Sequence, residues 1–289
     1  MSYNTPNISL PKFTYYKADN LTDALSLLKQ YNGNARVLAG GIELFKQMRQ
    51  RLIVPEHIID IKGIEELRKI DVTDRGIEIG PAVTAVELQK SQIIRDKCPP
   101  LFKAAAFMGD RILQNSVTIG GNLTSGLPCT EGVPALMSMD SVLEVRSAER
   151  SRILPVSDLV LNIRKTTLNS DEIITKIIVP YNGGLSGGYL KLLNASEMAV
   201  ANVAVALFSA KRKLRMAIGA VSVKPYYFDE STLGWKWNEP IEENIRVALN
   251  AIGSTIQPMA YNRVASAEYR GEIAKVLAAR ALKELFRGA

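Results

Sequence analysis

Two segments of this 289-residue chain combine glycine pairs with a setting suited to anion binding: Leu38-Ala39-Gly40-Gly41-Ile42-Glu43-Leu44 and Thr118-Ile119-Gly120-Gly121-Asn122. Glycine reaches positive φ without steric cost and lets a ligand touch the backbone. Successive free N–H groups in such a turn form a concave nest for phosphate. Either segment alone reads as an ordinary tight turn. Neither matches the G-x-G-x-x-G dinucleotide fingerprint or a phosphate loop ending in Lys-Ser/Thr. A nicotinamide Rossmann domain and a nucleotide hydrolase are therefore disfavoured. If both segments serve one ligand, a pyrophosphate clamped between two nests is the natural expectation.

Other reactive chemistry is scarce. The two cysteines, Cys98 and Cys129, form no C-x-x-C pair, which argues against a cysteine-ligated iron–sulfur cluster or a structural zinc in this chain. The single histidine, His57, lies in an apolar stretch near Pro55 and reads as structural. No Ser-His-Asp or Cys-His constellation is suggested. The net charge of +7 admits an anionic partner, but the densest basic groups, Lys211-Arg212-Lys213 and Arg150 with Arg152, read as solvated surface. At 7% aromatic residues, a nucleic-acid reader built on stacked rings is not indicated. No signal-like N-terminus or apolar run of about 20 residues is found, so the expectation is a soluble cytoplasmic protein.

The elements that position the glycine segments follow from pattern. Arg36–Ala39 is a short apolar strand, residues 43–51 a helix, and Ile58–Ile61 a buried strand, so the first segment sits inside a β-α-β unit. A helix starting near Asn20 precedes it. Thr84 and Glu87 have capping-box spacing at the head of another helix. The second segment reads as a glycine turn, followed by a short helix at 134–139 and strands at 141–146 and 171–180. Composition shifts around Asn182-Gly183-Gly184 and suggest a domain boundary. Beyond it come the apolar stretch 199–210, an alternating strand at 214–223, and helices at 241–252 and 265–285.

The segment Arg36 to Leu44 resembles the first FAD motif of the medium, flavin-binding subunits of the xanthine dehydrogenase and carbon monoxide dehydrogenase family, the molybdenum hydroxylases. Ser116 to Leu123 resembles the second, about eighty residues on. Ile77-Glu78-Ile79-Gly80-Pro81, Glu172 to Pro180 and Ala265-Ser266-Ala267-Glu268-Tyr269-Arg270 match in order and spacing, so the resemblance spans the chain. It implies an α+β protein. A two-lobed FAD-binding domain of the vanillyl-alcohol-oxidase/PCMH type is expected over residues 1–180, with lobes of about 1–60 and 61–180. A smaller α+β C-terminal domain is expected over 181–289. The resemblance also implies that Leu38, Ala39, Gly40, Gly41, Ile42, Glu43 and Leu44 form one pyrophosphate loop. Thr118, Ile119, Gly120, Gly121 and Asn122 would form the other. Ile174 and Lys191 fall where the family packs residues by the flavin ring, and Glu131 stands where the family has an aspartate. Molybdopterin and two [2Fe–2S] clusters are expected only in partner chains, a large and a small subunit of a heterotrimer or its dimer. An external acceptor would take the electrons. No catalytic acid, base or nucleophile, and no metal ligand, is expected here.

Some positions depart from the family pattern. Ile42 replaces a hydroxyl residue, Leu127 a serine, and Ala195, Ser196 and Ala199 replace polar residues beyond Lys191. They motivate an alternative reading, a non-redox structural subunit of such a complex that holds little FAD. An unrelated basic nucleotide- or nucleic-acid-binding protein is a third reading, which rests on charge alone. Valine at Gly41 or Gly120 is expected to abolish FAD retention without unfolding the chain.

Overall fold

The computed structural model describes residues 9–180, 184–194 and 198–287. The first sheet is three-stranded and parallel, with β1 (Thr14–Lys17), β2 (Ala35–Leu38) and β3 (His57–Asp60) in the order β1-β3-β2. Between β1 and β2 lies α1 (Leu21–Tyr31), capped by Asn20, whose side chain accepts the Asp23 N–H at 2.9 Å. It buries Leu21, Ala24, Leu25 and Leu28. Between β2 and β3 lies α2 (Ile42–Arg49), which completes the β-α-β unit around the first glycine segment. His57 stacks on Tyr31 at 3.7 Å between ring centroids, a packing role.

The second sheet is five-stranded and antiparallel, in the order β4-β5-β10-β6-β7. Its edge hairpin is β4 (Ile70–Thr73) and β5 (Gly76–Ile79). Four helices follow in the chain: α3 (Ala85–Lys90), α4 (Gln92–Lys97), α5 (Pro99–Ala105) and α6 (Ile119–Thr124). The Thr84–Glu87 capping box forms at α3, with Glu87 Oε2 accepting the Thr84 N–H at 2.7 Å. After α7 (Gly132–Met137) come β6 (Val142–Arg146) and β7 (Ser151–Pro155). A small hairpin, β8 (Val160–Asn162) with β9 (Lys165–Thr166), precedes the central strand β10 (Ile173–Val179). The second segment, expected as a turn, is thus the short helix α6. Thr118 caps it by accepting the Gly121 N–H at 3.2 Å.

The third sheet is a four-stranded antiparallel meander of β11 (Leu185–Leu193), β12 (Ala199–Phe208), β13 (Lys213–Gly219) and β14 (Tyr226–Asp229). Helices α8 (Ile241–Thr255) and α9 (Ala267–Arg287) contribute to the apolar cluster on one face. Tyr189, Ala204, Ala206, Phe208 and Ala217 join the core of the second sheet. Every residue of β12 is buried, and this explains its unbroken apolar run. The strand expected over 214–223 stops at Gly219. Ala220 turns left-handed at φ 63°, and its carbonyl accepts from Arg270 and Tyr261. Tyr181, Asn182 and Gly183, part of the proposed boundary, lie outside the described residues. Among the described residues, no helix is long and apolar enough to cross a membrane, and no group of His, Cys, Asp or Glu is placed to hold a metal ion.

Candidate functional site

Strand β2 ends at Leu38, and the chain passes through Ala39, Gly40 and Gly41 into α2. Gly41 is left-handed at φ 77°, the geometry that favours glycine at this N-cap. Its carbonyl accepts the Phe45 N–H at 2.9 Å. The N–H groups of Gly40, Gly41, Ile42, Glu43 and Leu44 find no acceptor among the described residues. They form a row of unspent donors at the positive end of a helix, the arrangement that holds an anion. Leu38 anchors the loop in a small core with Met48 and Ile58, while the Ile42 side chain is exposed.

The second segment is built differently. Ile119 N–H donates to Val83 O at 2.9 Å, Gly120 N–H to Pro81 O at 2.8 Å, and Asn122 N–H to Thr118 O at 2.9 Å. With Gly121 N–H given to the Thr118 hydroxyl, the amides from Ile119 to Asn122 are all committed. Within this segment only the Thr118 N–H is left without an acceptor among the described residues, so the segment offers an anion fewer free amides than the first does. Its glycines serve close packing. A Cβ at Gly120 would lie 2.6 Å from Pro81 Cβ and 2.7 Å from Pro81 O. Valine at Gly120 would thus damage the fold, contrary to the expectation of a folded, FAD-free variant. A Cβ at Gly40 would lie 1.9 Å from the Ser116 carbonyl oxygen, so the two segments meet backbone to backbone.

Asn122 latches the scaffold. Its Nδ2 donates to Glu131 Oε2 at 2.9 Å, and its Oδ1 accepts the Gly132 N–H at 2.9 Å. Glu131 Oε1 then pairs with Lys191 Nζ at 2.5 Å, with the two side chains only 9% and 4% exposed. Lys191, on β11, is thus tied to the segment after α6. Burial pushes the nearby Cys129 thiol up, and the Glu131 charge adds to this. Burial and the same carboxylate raise the Tyr189 hydroxyl well above its ordinary value. Ile174 lies in the second-sheet core, paired with Val145 in register and 3% exposed. Ala195 and Ser196 lie outside the described residues. Ala199 is buried, and its carbonyl accepts from Arg270 at 3.2 Å.

One side chain at the site carries no motif signal. Arg164 stands between β8 and β9, and its Nε donates to Glu43 Oε1 at 3.2 Å. The Arg164 N–H donates to Gly126 O at 2.8 Å. The pairing crosses 121 residues of sequence, so no local pattern could have found it.

FAD carries a pyrophosphate, and the free amides before and within the first turn of α2 fit such a group. Glu131 retains lone pairs for a hydroxyl donor beyond Asn122 and Lys191. The family described as the FAD binding domain in molybdopterin dehydrogenase matches residues 11–182. The glyceraldehyde dehydrogenase medium chain of Sulfolobus acidocaldarius is 29% identical over 282 residues, 95% of this chain and 99% of that one. The carbon monoxide dehydrogenase medium chain of Hydrogenophaga pseudoflava is 30% identical over 199 residues, 68% of this chain and 69% of that one. A solved structure of reconstituted CO dehydrogenase from Oligotropha carboxidovorans superposes with a TM-score of 0.90 at 26% identity, covering 97% of this chain and 100% of that chain. The chain belongs to the FAD-binding domain family of the molybdopterin dehydrogenases, and it is an oxidoreductase subunit whose cofactor is FAD.

Proposed function

We propose that the chain is the electron-transfer medium subunit of a cytoplasmic molybdenum hydroxylase complex. The observation that carries this reading is the row of unspent N–H groups from Gly40 to Leu44, welded to a scaffold through the Gly40–Ser116 contact. These amides hold the FAD pyrophosphate without any lysine or arginine from the loop itself. Thr118 and Asn122 fix the opposing wall, and Glu131 offers a carboxylate oxygen to a ribityl or ribose hydroxyl. Leu38, Ala39, Ile119 and Ile174 shape the apolar surround, and Lys191 sets the Glu131 orientation beside the flavin ring. The chain divides into domains over 1–180 and 181–289, and the first is a two-lobed fold of the vanillyl-alcohol-oxidase/PCMH type. The separate first and second sheets support the two lobes, and the third sheet, which begins at β11, supports the later domain.

Bound FAD supplies reversible acceptance of electrons, and the protein contributes position and electrostatics. The partners under this reading are a large molybdopterin subunit and a small subunit with [2Fe–2S] clusters, with an external electron acceptor beyond them. The names of the relatives, medium chains of dehydrogenases, support this assignment.

The exposed apolar Ile42 at the mouth of the amide row favours the second reading, a structural subunit with weak FAD binding. Native co-purification decides between them. An absorbance spectrum with flavin near one equivalent per chain, together with molybdenum and iron in the co-purifying subunits, supports electron transfer. A colourless complex that takes up no added FAD overturns it in favour of the structural role.

A further inference from the structure

The first glycine segment has an electrostatic problem that its own residues do not solve. Glu43 occupies the second position of α2, beside the free N–H groups. A carboxylate there favours the helix dipole, but it also sets a negative charge next to the place where a pyrophosphate, itself anionic, must lie. Its side chain is only 17% exposed, so water screens it poorly.

Arg164 answers that charge from a distant part of the chain. Its guanidinium Nε meets Glu43 Oε1 at 3.2 Å, and Lys46 stands 3.8 Å from Glu43 Oε2. Arg164 itself is held in the left-handed region at φ 57°, a conformation that a non-glycine residue keeps only when its surroundings impose it. The surroundings are Gly126, also left-handed at φ 59°. A Cβ on Gly126 would lie 2.9 Å from Lys165 N and 3.0 Å from Arg164 Cα. The hairpin tip is therefore bolted, through the Arg164 N–H to Gly126 O bond, to the chain leaving α6, while its side chain reaches the first segment. The Nη groups of Arg164 donate to no acceptor among the described residues.

We infer that Arg164 is a positioning residue for FAD: it neutralises Glu43 and makes the amide row of the first segment receptive to the pyrophosphate. The inference rests on the FAD reading above. Arg164 acts through Glu43 rather than as part of either glycine motif.

The test uses the full chain, with its partner subunits where they co-purify, stripped of flavin and titrated with FAD by flavin fluorescence. Melting of the FAD-free proteins is followed in parallel. Arg164→Gln is expected to weaken FAD binding roughly ten- to hundredfold, with the melting of the FAD-free chain little changed. Arg164→Lys, which keeps the charge, is expected to stay within about threefold of wild type. Glu43→Gln in the Arg164→Gln background is expected to restore most of the lost affinity, because the charge that needed neutralising is gone. Equal binding by wild type and Arg164→Gln overturns the inference alone, and so does failure of Glu43→Gln to rescue. An unmodified chain that binds no FAD overturns the FAD reading and this inference with it.

Discussion

Gly40 and Ser116 touch through their backbones, close enough that any side chain on Gly40 would enter the Ser116 carbonyl. The contact joins two segments that are far apart in sequence, and it sets the spacing of the loop with free amides from the chain leading into α6. Alanine at Gly40 cannot be accommodated by rotating a side chain, because the atom it meets is backbone. Gly40→Ala is expected to cost about 1–3 kcal/mol, the usual range for overpacking, and to lower FAD retention as the segments part. Gly63→Ala is the matched control. Its Cβ would meet only Lys17 Cε, at 3.6 Å. Urea midpoints and flavin content of the two variants check this: the control should be neutral or slightly stabilised and keep its flavin.

The Glu131–Lys191 pair gives a second prediction. Both side chains are almost fully buried, so removing one leaves an uncompensated charge. Lys191→Met alone is expected to destabilise by about 3–5 kcal/mol. Lys191→Met with Glu131→Gln should recover most of that loss, since no charge then remains buried. A double-mutant cycle by chemical denaturation reads the coupling. Additive losses would mean that the two groups do not depend on each other.

Acid sensitivity follows from Glu172. Hydrogen bonds from Arg152, at 2.8 Å to Oε2 and 2.9 Å to Oε1, hold its carboxyl below the usual carboxylate range. A depressed folded-state value means that the pair stabilises the fold above the unfolded value, about 4.3. That contribution is lost as pH falls through the folded value. Glu172→Gln should therefore cost about 1 kcal/mol at pH 7, after discounting for the partly exposed Arg152. Its disadvantage should shrink below about pH 4. Urea melts of both proteins at pH 7 and pH 3.5 measure the difference. A gap that stays constant with pH would remove Glu172 from the acid response.

Local signals were legible in the sequence and distant ones were not. The capping box at Thr84 and Glu87 spans three residues, and it forms as read. The strands of the first β-α-β unit are short apolar runs ended by glycine or charge, and their periodicity was enough. The helical form of the second glycine segment was not legible, because its Ile119 and Gly120 amides bond to Val83 and Pro81, carbonyls more than thirty residues away that no turn rule reaches. Glycine at position 120 also answers a tight approach to Pro81, which the sequence alone does not reveal. The Arg164–Glu43 pair and the bonds of Arg270 to the Val200 and Ala220 carbonyls were missed for the same reason: they cross 50 or more residues.

Arg270 closes the C-terminal part, and its role is structural. It is fully buried, and its Nη1 donates to the carbonyls of Val200 at 2.8 Å and Ala220 at 2.7 Å, while Nη2 donates to Asn262 Oδ1 at 2.6 Å. The Tyr261 ring lies 4.4 Å from the guanidinium carbon. A planar fork is needed to reach the start of β12, the left-handed turn after β13 and the segment before α9 together, and a lysine ammonium cannot span them. Arg270→Lys is expected to cost about 3 kcal/mol or more, because carbonyls that faced the guanidinium lose donors in a dry site. Both tryptophans, Trp235 and Trp237, belong to this part, and Trp235 stacks on Phe286 at 4.9 Å. Tryptophan fluorescence thus reports its unfolding separately from flavin release. In Arg270→Lys the tryptophan transition should move to lower denaturant. A variant whose tryptophan midpoint equals that of the wild type would show that the guanidinium fork is dispensable for holding α9 against the third sheet.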